Sequence, residues 1–98
     1  NDAKILASSG VFGIVLECIE KSLAKKITGS IKIPTIGIGS SVYCDGQILV
    51  TDDLLGLSNV NYRFIKKYAN LKGNIDKATN HFKKDVIKKL FPKNKNSY

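Results

Sequence analysis

The sequence is organised around one apolar stretch, Gly10-Val11-Phe12-Gly13-Ile14-Val15-Leu16-Glu17-Cys18. A continuous apolar run that is bounded by glycine and rich in Val and Ile predicts a strand buried on both faces. The run carries a carboxylate near its end, and burying an ionised carboxylate without a partner is costly. Glu17 avoids that cost if it lies where the strand leaves the sheet. Ligands bind at this edge in parallel α/β folds, so Glu17 is the first candidate for a catalytic group.

A helix and a second strand follow this stretch. Apolar residues recur at helical spacing from Ser22 to Ile31, and a second short apolar run follows, Thr35-Ile36-Gly37-Ile38-Gly39. Strand, helix and strand within about thirty residues make a βαβ unit, whose two strands run parallel. Residues 2–8, ahead of the first strand, have the pattern of the end of an amphipathic helix.

The rest of the chain predicts a third strand and further helices. Residues 40–46 are predicted as a loop, Gln47–Val50 as a strand, and residues 51–57 as a short helix that Thr51, Asp52 and Asp53 cap. Residues 62–71 are predicted as a helix that Gly73 breaks. A last helix, capped by Asn74, carries an apolar stripe formed by Ile75, Ala78, Phe82, Val86 and Leu90.

These elements predict the last third of a (β/α)₈ barrel, which takes about 250 residues in full. We divide the chain into three βα units at 1–57, C-terminal helices at 58–92 and a polar tail at 93–98, all within one barrel domain. Three βα units leave an open sheet edge and a half-covered core. We therefore expect the 98 residues to fold poorly and to be inactive on their own.

Charge and cysteine usage narrow the class of protein. The formal net charge of +8 is uneven, with eleven basic against four acidic residues in 51–98 and five against four in 1–50. A basic half is compatible with binding to nucleic acid or anionic lipid, but lysine pairs at helical spacing and a single Arg favour a solvated helix surface.

Two cysteines without a Cys-x-x-Cys spacing indicate a reducing, cytoplasmic compartment. No stretch of the sequence predicts a membrane span or a signal peptide.

Several other residues have side chains or positions that suit a binding or metal site. Gly39, Ser40 and Asp45 are weak candidates for substrate binding at the sheet edge, although Asp45-Gly46 is explained more simply as a turn. Cys18, Cys44 and His81 have no metal-ligand spacing, so no metal site is assigned to this chain.

Eight blocks of the sequence resemble a known family, ketopantoate hydroxymethyltransferase. The resemblance is collinear over essentially the whole chain and ends at Ser97-Tyr98. Its blocks are Val15-Leu16-Glu17-Cys18, Leu23-Ala24-Lys25-Lys26-Ile27-Thr28, Ile33-Pro34-Thr35-Ile36-Gly37-Ile38-Gly39, Cys44-Asp45-Gly46-Gln47-Ile48-Leu49-Val50, Asp53-Leu54-Leu55-Gly56-Leu57, Arg63-Phe64, Lys67-Tyr68-Ala69 and Phe91-Pro92.

The resemblance implies the C-terminal portion of a barrel of the phosphoenolpyruvate/pyruvate-domain type. Such enzymes transfer a hydroxymethyl group from methylenetetrahydrofolate to 3-methyl-2-oxobutanoate, forming ketopantoate (2-dehydropantoate) for pantothenate and coenzyme A synthesis. The family's proton acceptor corresponds to Glu17. The resemblance also implies Mg²⁺, with ligands outside this chain, and a homodecamer, with no nucleic acid or membrane partner.

A second class of function stays open beside the enzyme. In that alternative the chain is a non-catalytic binding module or an inactive remnant, whose Lys-rich C-terminal helices contact nucleic acid or a partner protein. In the corresponding alternative, Glu17 is a structural carboxylate that caps or forms a salt bridge at the strand end.

Overall fold

Three short parallel strands form the centre of the structure, a computed structural model that describes residues 1–98. The elements in chain order are α1 (Asp2–Ser8), β1 (Ile14–Glu17), α2 (Lys21–Ser30), β2 (Thr35–Ile38), β3 (Gly46–Gln47), α3 (Thr51–Leu54), α4 (Leu71–Ile87) and a 3₁₀-helix (Asn94–Asn96). The strands lie in the order β1-β2-β3, and both neighbouring pairs are parallel. The predicted α/β class with a parallel sheet is confirmed.

β1 and β2 pair in parallel, as predicted for the βαβ unit. Ile14 lies opposite Thr35, and Glu17 lies opposite Ile38. β1 is shorter than the predicted 10–18 stretch because the chain turns at Gly10, whose φ is +93°. Pairing begins only where the N–H of Ile14 donates to the Pro34 carbonyl, at 2.9 Å.

Alternation along β1 gives the sheet two different faces. Leu16 faces α2, where it forms a small core with Ala24 and Cys44. Val15 and Glu17 face the other way, and Val15 is 56% exposed. The prediction of a strand buried on both faces is therefore wrong in this chain, because α2 covers one face of β1 and the other stays open at Val15.

A polar network fixes the start of β2 within this core. Thr35 is fully buried, and its backbone N–H donates to Oδ2 of Asp45 at 2.8 Å. The Thr35 hydroxyl lies 2.8 Å from the Thr28 hydroxyl of α2 and accepts a hydrogen bond from the Asp45 N–H at 3.3 Å. Because its polar groups are paired, Thr35 is tolerated in the core.

The third strand differs from its predicted position. β3 consists of Gly46–Gln47, whereas the prediction was Gln47–Val50. One further bond, from the Ile48 N–H to the Gly37 carbonyl at 3.0 Å, extends its pairing with β2. Residues 39–45, which join the two parallel strands, contain no helix, as predicted for this loop.

The short helix α3 is neither as long nor capped as predicted. It ends at Leu54 rather than at residue 57, and its N-cap residue, Val50, makes no side-chain capping bond. Asp52 and Asp53 lie in the first turn, where negative charge favours the helix dipole. The buried carboxylate of Asp53 accepts a hydrogen bond from the Ser58 hydroxyl instead of capping the helix.

The helix predicted over residues 62–71 is wrong. No helix forms between residues 61 and 70, because backbone N–H groups at and after the end of this segment donate to Leu54, the last residue of α3, and to the two residues that follow it. The three bonds run from Tyr68 to Leu54 at 2.8 Å, from Leu71 to Leu55 at 3.1 Å and from Lys72 to Gly56 at 3.2 Å.

The long helix α4 starts earlier than predicted. Its N-cap is Asn70, whose Oδ1 accepts a hydrogen bond from the Gly73 N–H at 3.1 Å. Gly73 thus lies in the first turn and does not break a helix, and Asn74 is not the cap. The helix ends at Ile87, ahead of Phe91-Pro92, and Lys89 then takes a φ of +56°.

The apolar stripe of α4 stays open to solvent, with Ile75 and Phe82 both more than half exposed. The radius of gyration is 22.4 Å, against about 13 Å for a compact chain of this length. The accessible surface is 7926 Å², against about 5500 Å² expected for a compact protein of this mass. None of the helices has the length and hydrophobicity needed to cross a bilayer.

Gly56 occupies a position that no other residue fits. Its φ is +70°, and a Cβ atom there would lie 2.2 Å from the Ala69 carbonyl oxygen. Gly56→Ala is therefore expected to destabilise the fold by about 2–4 kcal/mol, through backbone strain and the clash. The measurement is the urea midpoint of a complete enzyme that contains this chain.

Gly29→Ala is the matched control for that substitution. Gly29 lies inside α2, and a Cβ atom there would meet nothing within 4 Å. Alanine stabilises a helix relative to glycine, so the free energy of unfolding of this variant should rise by about 0.5–1 kcal/mol. An unchanged midpoint for Gly56→Ala would contradict the close contact with Ala69.

Glu20 caps the N-terminus of α2, where its carboxylate accepts hydrogen bonds from the Ser22 hydroxyl and from the N–H groups of Ser22 and Leu23. The bond from the Ser22 hydroxyl is the main reason that the pKa of the Glu20 carboxyl lies below its usual value of 4.5. A lowered pKa in the helical state means that the cap stabilises the helix fully above pH 4.5. This stabilisation is lost as the pH falls through the lowered pKa.

A peptide of residues 19–31 tests this cap, because Glu20 is its only acidic side chain. With blocked termini, its helix content measured by circular dichroism should fall as the pH drops from 4.5 through the lowered pKa. The Glu20→Gln peptide keeps an acceptor oxygen but does not titrate in this range, so its helix content should stay flat. Equal pH dependence in both peptides would rule out the carboxylate cap.

Candidate active site

The candidate site lies where β1 and β2 end, an edge that we call the carboxyl edge and define by residues 17–19 and 39–41. The parallel register brings the ends of these two strands together, as the sequence predicts. A cavity of about 740 Å³ opens there. Its lining residues are Cys18, Ile19, Glu20, Lys21, Gly39, Ser40, Ser41, Val42, Gln47, Arg63 and Phe64.

Glu17 is the last residue of β1 and lies at the carboxyl edge, on the face away from α2. Its neighbour across the register is the buried, apolar Ile38, which shares that face. The carboxylate is exposed and forms no ion pair, since the one contact within 4 Å between a basic and an acidic side chain joins His81 to Asp85. The salt-bridge explanation of Glu17 therefore has no partner within this chain. Glu17 itself does not line the cavity, but the next residue, Cys18, does.

The backbone turns sharply directly after Glu17. The N–H of Cys18 makes the last bond of the ladder, to the Ile38 carbonyl at 2.8 Å, and Cys18 has a φ of +52°. This left-handed conformation is unusual for a residue with a side chain, so the surrounding bonds must hold it. The turn separates Glu17, on the open face of the sheet, from Ile19, which packs towards the core beside α2.

Ser40 lies at the carboxyl edge, as predicted, but its hydroxyl is occupied by the backbone of this turn. It donates to the Leu16 carbonyl at 2.6 Å and accepts from the Ile19 N–H at 3.0 Å. A hydroxyl has one proton to donate, and here that proton is already used. Ser40 therefore holds the residues on either side of Glu17 and Cys18.

Gly39 also lies at the carboxyl edge, with a φ of +63°. The group that approaches it closely is the side chain of Phe64, because a Cβ atom on Gly39 would lie 2.7 Å from the Phe64 Cβ. The absence of a side chain at Gly39 thus makes room for an aromatic ring at the cavity.

Asp45 is not at the carboxyl edge, so its prediction as an edge residue is corrected. Its carboxylate binds the N–H and hydroxyl of Thr35, the first residue of β2, and therefore lies at the opposite edge of the sheet. The physical reason is that residues 39–45 return the chain to the start of the next parallel strand. Gln47, by contrast, reaches the cavity and donates from Nε2 to the Ser41 carbonyl at 2.7 Å.

Arg63 and Phe64 line the cavity although their sequence pattern predicts a helix and no site. The signal that could have found them is compositional: Arg63 is the only arginine in the chain and stands next to an aromatic residue.

His81, Cys18 and Cys44 do not come together. No group of three His, Cys, Asp or Glu side chains in this chain could hold a metal ion, so these residues do not fit a magnesium site.

Comparisons with known proteins agree on one family. A family model described as ketopantoate hydroxymethyltransferase matches residues 1–94. The 3-methyl-2-oxobutanoate hydroxymethyltransferase of Pelagibacter ubique is 59% identical over 97 residues, which is 99% of this chain. The enzymes of the same name from Carboxydothermus hydrogenoformans and Caulobacter vibrioides are 50% and 46% identical, over 100% and 93% of the chain.

The chain spans only part of these relatives, namely 38%, 36% and 33% of their respective lengths. The match of the family model nevertheless covers almost every residue of the chain. The resemblance seen in the sequence is thus confirmed, and the chain belongs to the ketopantoate hydroxymethyltransferase family.

Proposed function

We propose that a complete enzyme containing this chain transfers a hydroxymethyl group from methylenetetrahydrofolate to 3-methyl-2-oxobutanoate, forming 2-dehydropantoate. Family membership supports the reaction, because the matching relatives are named for it. The observation that carries the role of this chain is the position of Glu17, an unpaired carboxylate at the carboxyl edge on the open face of the sheet. The chain spans 38% of the Pelagibacter relative, so the activity is proposed for the complete protein.

We propose further that the sheet is part of a (β/α)₈ barrel of the phosphoenolpyruvate/pyruvate-domain type. In the sheet order β1-β2-β3, the outer edge of β1 has no partner within the chain and can pair with another barrel strand. In such a barrel the helices pack outside and the strand faces without helices point inward. Val15, Glu17, Ile36 and Ile38 share the inward face in this arrangement.

Glu17 acts as the general base in this proposal. The C3 proton next to the keto group of 3-methyl-2-oxobutanoate passes to the Glu17 carboxylate, leaving an enolate. Water cleaves the methylene group from the folate as formaldehyde and releases tetrahydrofolate. The enolate C3 then adds to the formaldehyde carbon, and the resulting alkoxide takes the proton back from Glu17 to give the hydroxymethyl group. A carboxylate suits this step because it is an acceptor with no competing partner in the chain. A positioned base typically contributes about 10²–10⁴-fold to the rate.

Magnesium and the homodecamer remain predictions. Magnesium ligands would have to come from residues outside this chain, because no suitable cluster lies within it, and we assign the metal no step. The exposed apolar side chains of α4, among them Ile75 and Phe82, support a role for this helix in subunit assembly.

The alternative of a nucleic-acid or protein-binding module is supported only by the charge of residues 51–98.

Glu17→Gln tests the proposed base. The amide has nearly the same shape but cannot take up the proton, so kcat of the complete enzyme should fall by about 10²–10⁴-fold. The exchange of the substrate's C3 proton for solvent deuterium, followed by NMR without folate, should fall in parallel.

Asp2→Asn is the matched control, because it removes an exposed carboxylate from α1, remote in the chain from the carboxyl edge. Its kcat should stay within about twofold of the unchanged enzyme. A Glu17→Gln enzyme with normal folding, normal turnover and normal deuterium exchange would remove Glu17 from the mechanism.

A further inference from the structure

The cavity at the carboxyl edge is much larger than a five-carbon keto acid requires. Its volume is about 740 Å³. Pockets of about 300–1,000 Å³ hold drug-sized molecules. Glu17, beside which the keto acid is placed, does not line this cavity, so its space is free for a second and larger ligand. The residues that line it indicate what chemistry that ligand has.

One part of the cavity is aromatic. Phe64 lies against Gly39, where any side chain would displace it, and it stacks on Tyr62 with ring centroids 5.8 Å apart and planes 15° apart. Both contacts fix the orientation of the Phe64 ring. A fixed ring at the wall of a cavity favours a flat, conjugated ligand.

Another part of the cavity is cationic. Arg63, adjacent to Phe64 in the chain, lines the cavity and forms no ion pair with any acidic residue of the chain. Lys21 lines it as well, and the only acidic lining residue, Glu20, directs its carboxylate to the amides at the start of α2. The cavity therefore offers uncompensated positive charge next to an aromatic ring.

We propose that Arg63 binds a carboxylate of the glutamate moiety of the folate co-substrate, while Phe64 contacts the aromatic portion of the same molecule. This inference rests on the proposed function, since it assigns a site to one of the two substrates named there. A guanidinium is suited to this role because its planar donors match the two oxygens of a carboxylate. The keto acid, bound near Glu17, leaves Arg63 free for the folate.

The experiment measures equilibrium binding by calorimetry to a complete enzyme containing this chain. Two probes are used, tetrahydrofolate and tetrahydropteroate, which has the same ring system but lacks the glutamate. Arg63→Gln should weaken tetrahydrofolate binding by about tenfold, the usual effect of losing a hydrogen bond between charged groups. Binding of tetrahydropteroate should change by less than about twofold, because the interacting carboxylate is missing from it.

Lys66→Gln is the matched control, since it removes one positive charge three residues away. Lys66 lies over the Tyr68 ring, 4.9 Å from its centroid, and does not line the cavity. Its binding of both probes should stay within about twofold of the unchanged enzyme. Arg63→Lys keeps the charge but not the planar fork of donors, so its loss of tetrahydrofolate affinity should be intermediate.

Three outcomes would overturn the assignment of Arg63. They are an unchanged tetrahydrofolate affinity in Arg63→Gln, an equal loss for both probes, and an equal loss in Lys66→Gln. Because these measurements need no turnover, they are separate from the test of the base. Full activity of Glu17→Gln would count against the proposed mechanism and would leave the binding result standing.

Discussion

The parallel register between β1 and β2 is the constraint on which the rest of the structure depends. It sets Glu17 opposite Ile38 and so brings the ends of both strands to one edge of the sheet. With α2 packed on one face, the alternation of side chains leaves only the other face for Glu17. A slip of one residue would turn every side chain of β1 over and bring the carboxylate into the small core of Leu16, Ala24 and Cys44.

The two substrates of the proposed reaction make different demands on the carboxyl edge. Proton transfer needs one acceptor held at a defined place, and the bonds of Ser40 to Leu16 and Ile19 fix the backbone around Glu17. Binding a large, charged co-substrate needs a wide cavity with cationic and aromatic walls instead. Residues 39–42, Gln47, Arg63 and Phe64 supply such walls. The chain thus separates a rigid turn from an open cavity, although both are built at the ends of the same two strands.

The sequence predicted β1, α2 and β2 well because each is specified by its own short pattern. The connection between the two strands is also too short for many other topologies. Outside this unit, long-range hydrogen bonds override the local pattern. Residues 62–71 have apolar spacing that suits a helix, yet the amides of Tyr68 and Leu71 donate to the last residue of α3 and to the residue that follows it.

The same limit applies to the candidate site. Glu17 could be predicted because a charge at the end of an apolar strand is unusual in itself. Arg63 could not be placed from the sequence, because it reaches the cavity through a segment whose path only the contacts with α3 and Gly39 define. Asp45 was misplaced because an Asp-Gly turn has the same local pattern at either end of a sheet.

The anchorage of Thr35 by Asp45 has a consequence for how this protein can vary. The chain between Gly39 and Asp45 is held at each end, by the Phe64 side chain at one and by the start of β2 at the other. Its middle is the exposed Val42, and the carbonyl of the neighbouring Ser41 accepts a hydrogen bond from Nε2 of Gln47 in β3. A change of the side chain at Val42 can therefore reshape the cavity wall while Asp45 and Gln47 keep the strands aligned.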